Sequence, residues 1–176
     1  MDWAKEIVVM VAVKQAIADL DDQGLWPHHF PEVAASNDDL QSLEASLGFE
    51  LDKEFAVFLT KANGWKGFYQ TVNLFGTSEL AGGPEFRRAE KVLDSIQKDV
   101  LSQSGLARNS LLPIAASTAD SDVFALCKPN SQFFGQIIWL AGAEIDRFSS
   151  FNEFYLSMVD YNRNEYQDLK NERTWM

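Results

Sequence analysis

Leu47-Gly48-Phe49-Glu50-Leu51-Asp52-Lys53-Glu54-Phe55, followed by Phe58-Leu59 and then Asn63-Gly64-Trp65, is the stretch from which the fold is read. Gly48 can take the left-handed conformation that ends a helix, so a helix runs into it from about Asp38 with Leu40, Leu43 and Leu47 inward. Asp52 is an N-cap whose carboxylate also suits the positive end of the helix dipole. The helix it opens turns Phe55, Phe58, Leu59 and Ala62 to the core and stops at Asn63-Gly64. After Trp65-Lys66-Gly67 the mixed apolar and polar run from Phe68 to Phe75 reads as a strand.

Upstream, Trp3, Ile7, Met10, Val13, Ile17 and Leu20 recur at spacings of three and four, which predicts a helix over 3–20. Gly24 and Pro27 end it, and 21–37 is a connector. Downstream, Leu80 to Pro84 is a turn, and Phe86, Ala89, Leu93, Ile96 and Val100 predict one helix from Glu85 to about Ser102. Leu111–Ala115, Asp122–Cys127 and Gln136–Leu140 are short strands with turn-prone residues between them, as in an antiparallel meander. Pro113 belongs at an edge or a strand start, because it has no N–H for the ladder. Ser150 and Glu153 form a capping box at the head of a helix whose apolar face is Phe151, Phe154, Tyr155, Met158 and Val159. The polar stretch 162–176, relieved by Tyr166, Leu169 and Trp175, is either a continuation of that helix or a frayed tail.

The 176 residues form one α+β domain with a mostly antiparallel sheet of about five or six strands flanked by helices, without a repeat or a dividing linker. A chain of this length buries roughly 70% of its unfolded surface and needs no staple. Lys plus Arg number 15 against 26 Asp plus Glu, a formal charge of −11, and residues 1–60 hold −9 of it. That field repels a polyanion, which excludes nucleic acid as a partner and favours a basic protein. Evenly solvated acidity explains the same count, so charge alone does not decide between them. The apolar run Ile7–Val13 is too short to span a bilayer, and with a single cysteine the expectation is a cytoplasmic protein.

No catalytic, metal or cofactor pattern is present. His28 and His29 are adjacent in a connector, where neighbouring side chains diverge, and Asp19, Asp21 and Asp22 lack the glycine and closing Glu of a calcium loop. Cys127 closes an apolar strand, the place of a small buried hydrophobe. Gly82-Gly83-Pro84 lacks the Gly-Lys-Ser/Thr tail of a phosphate loop.

The opening stretch, with its Leu-Gly, Phe-Leu and Asn-Gly steps, resembles the N-terminal signature of the SUKH superfamily. That superfamily joins fungal cell-wall-synthesis regulators to bacterial immunity proteins. Leu74-Phe75-Gly76-Thr77-Ser78-Glu79-Leu80, Leu111-Leu112-Pro113-Ile114-Ala115 and Ser150-Phe151-Asn152-Glu153-Phe154 resemble its later segments in the same order. The resemblance extends over 38–161, leaving 1–37 as an N-terminal helix and connector and 162–176 as a polar tail. Asp52 stands where the superfamily often has Pro, and Ala119-Asp120-Ser121-Asp122 lacks a glycine frequent there.

The resemblance implies a non-catalytic protein that acts by binding. Its bacterial members neutralise a cognate toxin domain, often a nuclease, while its fungal members point to a regulatory or scaffold module without a toxin partner. An interface needs aromatic anchors and a charged rim. The candidates are Trp65 and Tyr69 as anchors, with Asp120, Asp122, Glu144 and Asp146 as loop carboxylates. No cofactor and no membrane partner are expected.

Overall fold

The computed structural model describes residues 1–174; Trp175 lies outside the described residues. The chain begins with α1 (Trp3–Ala18), and Asp2 caps it through Lys5 N. After the connector come α2 (Asn37–Leu47) and α3 (Lys53–Leu59). Ser36 and Asp39 form a reciprocal capping box at the start of α2, and Gly48 closes it at φ 77°. Asp52 caps α3 as expected, accepting from Glu54 N (3.0 Å) and Phe55 N (3.2 Å).

The run 68–75 is two strands rather than one, β1 (Trp65–Tyr69) and β2 (Val72–Leu74). The hairpin turn was hidden because Gln70 takes the left-handed position, at φ 48°, that Gly or Asn usually holds. Next follow the one-turn α4 (Thr77–Leu80), then α5 (Pro84–Ser95) and α6 (Lys98–Gln103). The single helix expected over 85–102 is therefore broken. Ile96 and Gln97 are extended, and the change of direction lets Leu101 and then Leu106 enter the core, which a straight helix would not.

β3 (Leu111–Ser117), β4 (Val123–Cys127), β5 (Ile137–Leu140) and β6 (Glu144–Phe148) complete a six-stranded antiparallel sheet in the order β1 to β6. β6 was not foreseen as a strand: its residues read as loop because an edge strand carries charged side chains. Pro113 sits inside a central strand, at a register break opposite Ala125 and beyond the reach of β2, whose partners are Ala115–Ser117. The missing N–H thus costs no ladder bond to β2.

α7 (Phe151–Thr174) continues through the segment expected as a polar tail. Its capping box is only half present. Ser150 Oγ accepts from Glu153 N (3.3 Å), but the Glu153 carboxylate reaches back one residue further, to Ser149 N (2.6 Å). α7 lies on one face of the sheet, where Phe154 meets Phe68, Phe124 and Phe148 at 5.3–5.9 Å between ring centroids. On the other face, Ala89 and Val92 of α5 come against Ala116 and Val123. Trp3 pins α1 to the α7 layer, 5.1 Å from Phe58 and 5.0 Å from Tyr155. Burying such rings is worth about 1.5–3 kcal/mol each, so the aromatic chain from Trp3 to Phe124 is a large share of the core.

Candidate functional site

A meander reverses at every strand, so the β1–β2, β3–β4 and β5–β6 turns all lie at the same end of the sheet. At that end Tyr69, the last residue of β1, packs on Tyr161 of α7 at 5.9 Å. Tyr161 in turn meets Trp139 of β5 edge-on at 6.0 Å, and Trp139 rests on the core ring of Phe124 at 5.0 Å. The three half-buried rings are therefore anchored from beneath while keeping partly exposed edges.

Carboxylates border the strip. Trp139 Nε1 donates to Asp122 Oδ1 (2.8 Å), Tyr161 donates through its hydroxyl to Asp146 Oδ2 (3.3 Å), and Gln70 Nε2 donates to Glu165 Oε2 (2.6 Å). The β3–β4 tip is held in place by several bonds. Ser117 Oγ accepts from Ala119 N and Asp120 N (both 3.1 Å), Asp120 Oδ1 accepts from Asp122 N (2.9 Å), and Arg88 donates to Thr118 O and Asp120 O (both 3.0 Å).

Burial, reinforced by the charge of Glu165 and the neighbouring Tyr161 and Asp122, raises the Tyr69 phenol above its ordinary value. Burial beside Asp146 does the same to Tyr161. Burial also raises the Asp122 carboxyl, with Asp120 adding to the rise and the Trp139 hydrogen bond opposing it. The phenols therefore stay protonated at neutral pH, and the surface offers aromatic area, hydroxyls and negative charge, a combination suited to lysine and arginine side chains.

Tyr69, Asp120, Asp122 and Asp146 thus come together. Two anticipated residues do not join them. Trp65 is only 1% exposed; it packs on Phe68 at 5.9 Å and donates through Nε1 to His29 O (2.8 Å), so it is a core residue and not an anchor. Glu144 pairs with Arg147 (2.8 Å), whose guanidinium covers the Phe133 ring at 4.5 Å. Arg147 stands opposite Ile138, and Asp146 opposite Trp139, so these neighbours face opposite sides of the sheet. Glu144 and Asp146 also lie in β6, not in a loop.

Trp139, Tyr161 and Glu165 escaped the sequence reading. Trp139 sits in the apolar strand run Gln136–Leu140, which carries no local mark of a surface residue, and the undecided 162–176 stretch hid the helical face that Tyr161 and Glu165 share. Their i, i+4 spacing on one helix face was the available signal.

Elsewhere, His28 Nε2 lies 2.9 Å from Asp21 Oδ2, and Asp21 also accepts from Leu25 N and Trp26 N, an arrangement that shapes the connector. Cys127 is buried, which raises its thiol above the usual value. Among the described residues no three His, Cys, Asp or Glu side chains converge to hold a metal ion, and no helix is long and apolar enough to cross a membrane.

Fold and site together define an α+β protein with a meander sheet whose hairpin end presents aromatic rings among carboxylates. Residues 34–157 match the SMI1 / KNR4 family (SUKH-1), and the chain belongs to that family. No curated protein matches it. The two regions outside the matched residues, α1 with its connector and the last four turns and more of α7, meet each other: Arg173 pairs with Asp22, and Leu169 is buried near Leu20 and Leu25.

Proposed function

We propose that this chain is a non-catalytic immunity protein that binds a basic toxin domain, a nuclease domain being the best electrostatic match, in the bacterial cytoplasm. The observation that supports it is the convergence of Tyr69, Trp139 and Tyr161 with Asp122, Asp146 and Glu165 at one end of a chain of net charge −11. Aromatic rings held from below supply contact area at little ordering cost, and a carboxylate rim selects cationic side chains. A toxin surface shaped for phosphates would meet this field at association rates on the order of 10⁸–10⁹ M⁻¹s⁻¹ at low salt. Membership of a family that resemblance links to immunity proteins points the same way.

Co-expression with the toxin domain encoded beside this chain tests the reading. Rescue of growth and co-purification are expected, and Tyr161→Ala should weaken both. Absence of rescue and of co-purification would reject the toxin, and capture of endogenous proteins instead would indicate a regulatory module.

A further inference from the structure

Asn63-Gly64 and Phe75-Gly76 pack directly on each other and together line a second feature, a cleft of about 390 Å³. Its floor is built from backbone. A Cβ on Gly64 would press on Gly76 N and Leu74 O, and one on Gly76 would overlap the Asn63 carbonyl. Asn63 locks the two sides together, accepting from Thr77 N (2.7 Å) and donating to Thr77 Oγ1 (3.0 Å). Glu32, Glu79 and Glu85 line the cleft against one ammonium, Lys66. Glu79 spends Oε1 on Glu85 N (2.6 Å) and Phe86 N (3.1 Å), and Glu85 spends Oε2 on Asn73 Nδ2 (2.8 Å), so both carboxylates are held in place.

The connector forms one wall. Glu32 N donates to Gly64 O (3.0 Å), Asn63 N to Glu32 O (3.3 Å), and Trp65 Nε1 fastens His29 O. On this pinned backbone Val33, which lines the cleft, is 88% exposed. Covering an apolar side chain that stands on a pinned backbone is favourable, because little backbone ordering opposes the gain.

We infer that this cleft is a second contact site that takes an extended, arginine- or lysine-bearing segment of a partner protein. The cation enters among Glu32, Glu79 and Glu85, and an adjacent apolar side chain of the segment covers Val33. Charge complementarity selects this occupant: a second copy of the chain is acidic, and so is nucleic acid. The inference rests on the reading of a basic partner but uses a separate surface. The cleft adjoins Trp65 and Leu74, the end of the β1–β2 pair remote from its Tyr69–Val72 turn.

The test is an NMR titration of the isotope-labelled full chain at low salt with the capped peptide Gly-Arg-Leu-Arg-Gly and, in parallel, Gly-Gln-Leu-Gln-Gly. Saturable shifts of the Gly64 and Gly76 amides and of the Asn63 and Asn73 side-chain amides are expected with the arginine peptide alone. They should weaken about tenfold in Glu32→Gln/Glu85→Gln, which keeps an acceptor for Asn73. Val33→Ser, with an otherwise unchanged spectrum, should also lower the affinity. Shifts confined to Tyr69, Trp139 and Tyr161 would overturn the cleft and leave the basic-partner reading standing. Equal response to both peptides, or none at the cleft, would overturn it too, whereas the basic-partner reading fails separately, by absence of toxin co-purification.

Discussion

The Trp139 indole and the Asp122 carboxylate hold each other across two strands, with Nε1 2.8 Å from Oδ1. The bond orients a half-buried ring and a half-buried charge at once, and it offsets part of the burial that raises the Asp122 carboxyl. Trp139→Phe keeps a ring and removes the donor. The Asp122 carboxyl should then titrate at still higher pH, read by carbon NMR. A carboxyl raised above its unfolded value binds its proton more tightly in the fold, so stability falls as pH rises from the unfolded value through the folded one. In the variant that fall should extend to higher pH.

Lys14 gives a second pH signature. Burial lowers its ammonium to about 8 from 10.5, against an opposing pull from Glu165. Its unfolded form holds the proton more tightly, so stability rises as pH increases from about 8 to 10.5. Lys14→Met should remove that rise and stabilise the protein at pH 7 by up to about 3 kcal/mol, measured by urea denaturation.

Asn162 ties α7 to the sheet. Its buried side chain donates to Phe68 O (3.2 Å) and Met158 O (2.7 Å). Asn162→Leu fills the space and leaves the Phe68 carbonyl without this donor, at an expected cost of about 1–3 kcal/mol in denaturant unfolding.

Gly67 closes the other edge of the sheet. At φ 59° a Cβ there would run into the Pro27 carbonyl. Gly67→Ala should cost roughly 2 kcal/mol or more. Hydrogen exchange should report the same change locally, as lost protection at the Glu32 and Asn63 amides that join the connector to the start of β1.

Elements with local chemical signals were legible in the sequence: Gly48 and Asp52 mark helix ends, and the strands β3 to β5 are apolar runs between turn residues. Elements whose form depends on distant partners were not. Gln70 turns a hairpin without Gly or Asn, with its side chain donating to Glu165 and the next carbonyl, of Thr71, accepting from Thr118 N. Ile96 breaks a helix whose periodicity is unbroken, because the next apolar residues are buried elsewhere. β6 is charged because it is an edge. At the site, Tyr69 was recognisable as an aromatic anchor and Asp120, Asp122 and Asp146 as carboxylates of the segments around the strands, although Asp146 is in the edge strand β6 and three of the four are half-buried. Trp65 looked the same in sequence, and only the connector packed over β1 makes it core. Trp139 and Tyr161 become part of the surface through the meander and the continuation of α7, neither of which a local pattern specifies.

The central claim is that the acidic hairpin end steers a basic partner. Its most direct test is the association rate with the co-encoded toxin domain as a function of salt, for the wild-type chain and for Asp122→Asn/Asp146→Asn, which keeps an acceptor for Trp139 Nε1 and one of the two acceptor oxygens at position 146. A rate that falls steeply with salt is expected in the wild type, and a slower, flatter dependence in the variant. Superimposable salt dependences for the two proteins would contradict it.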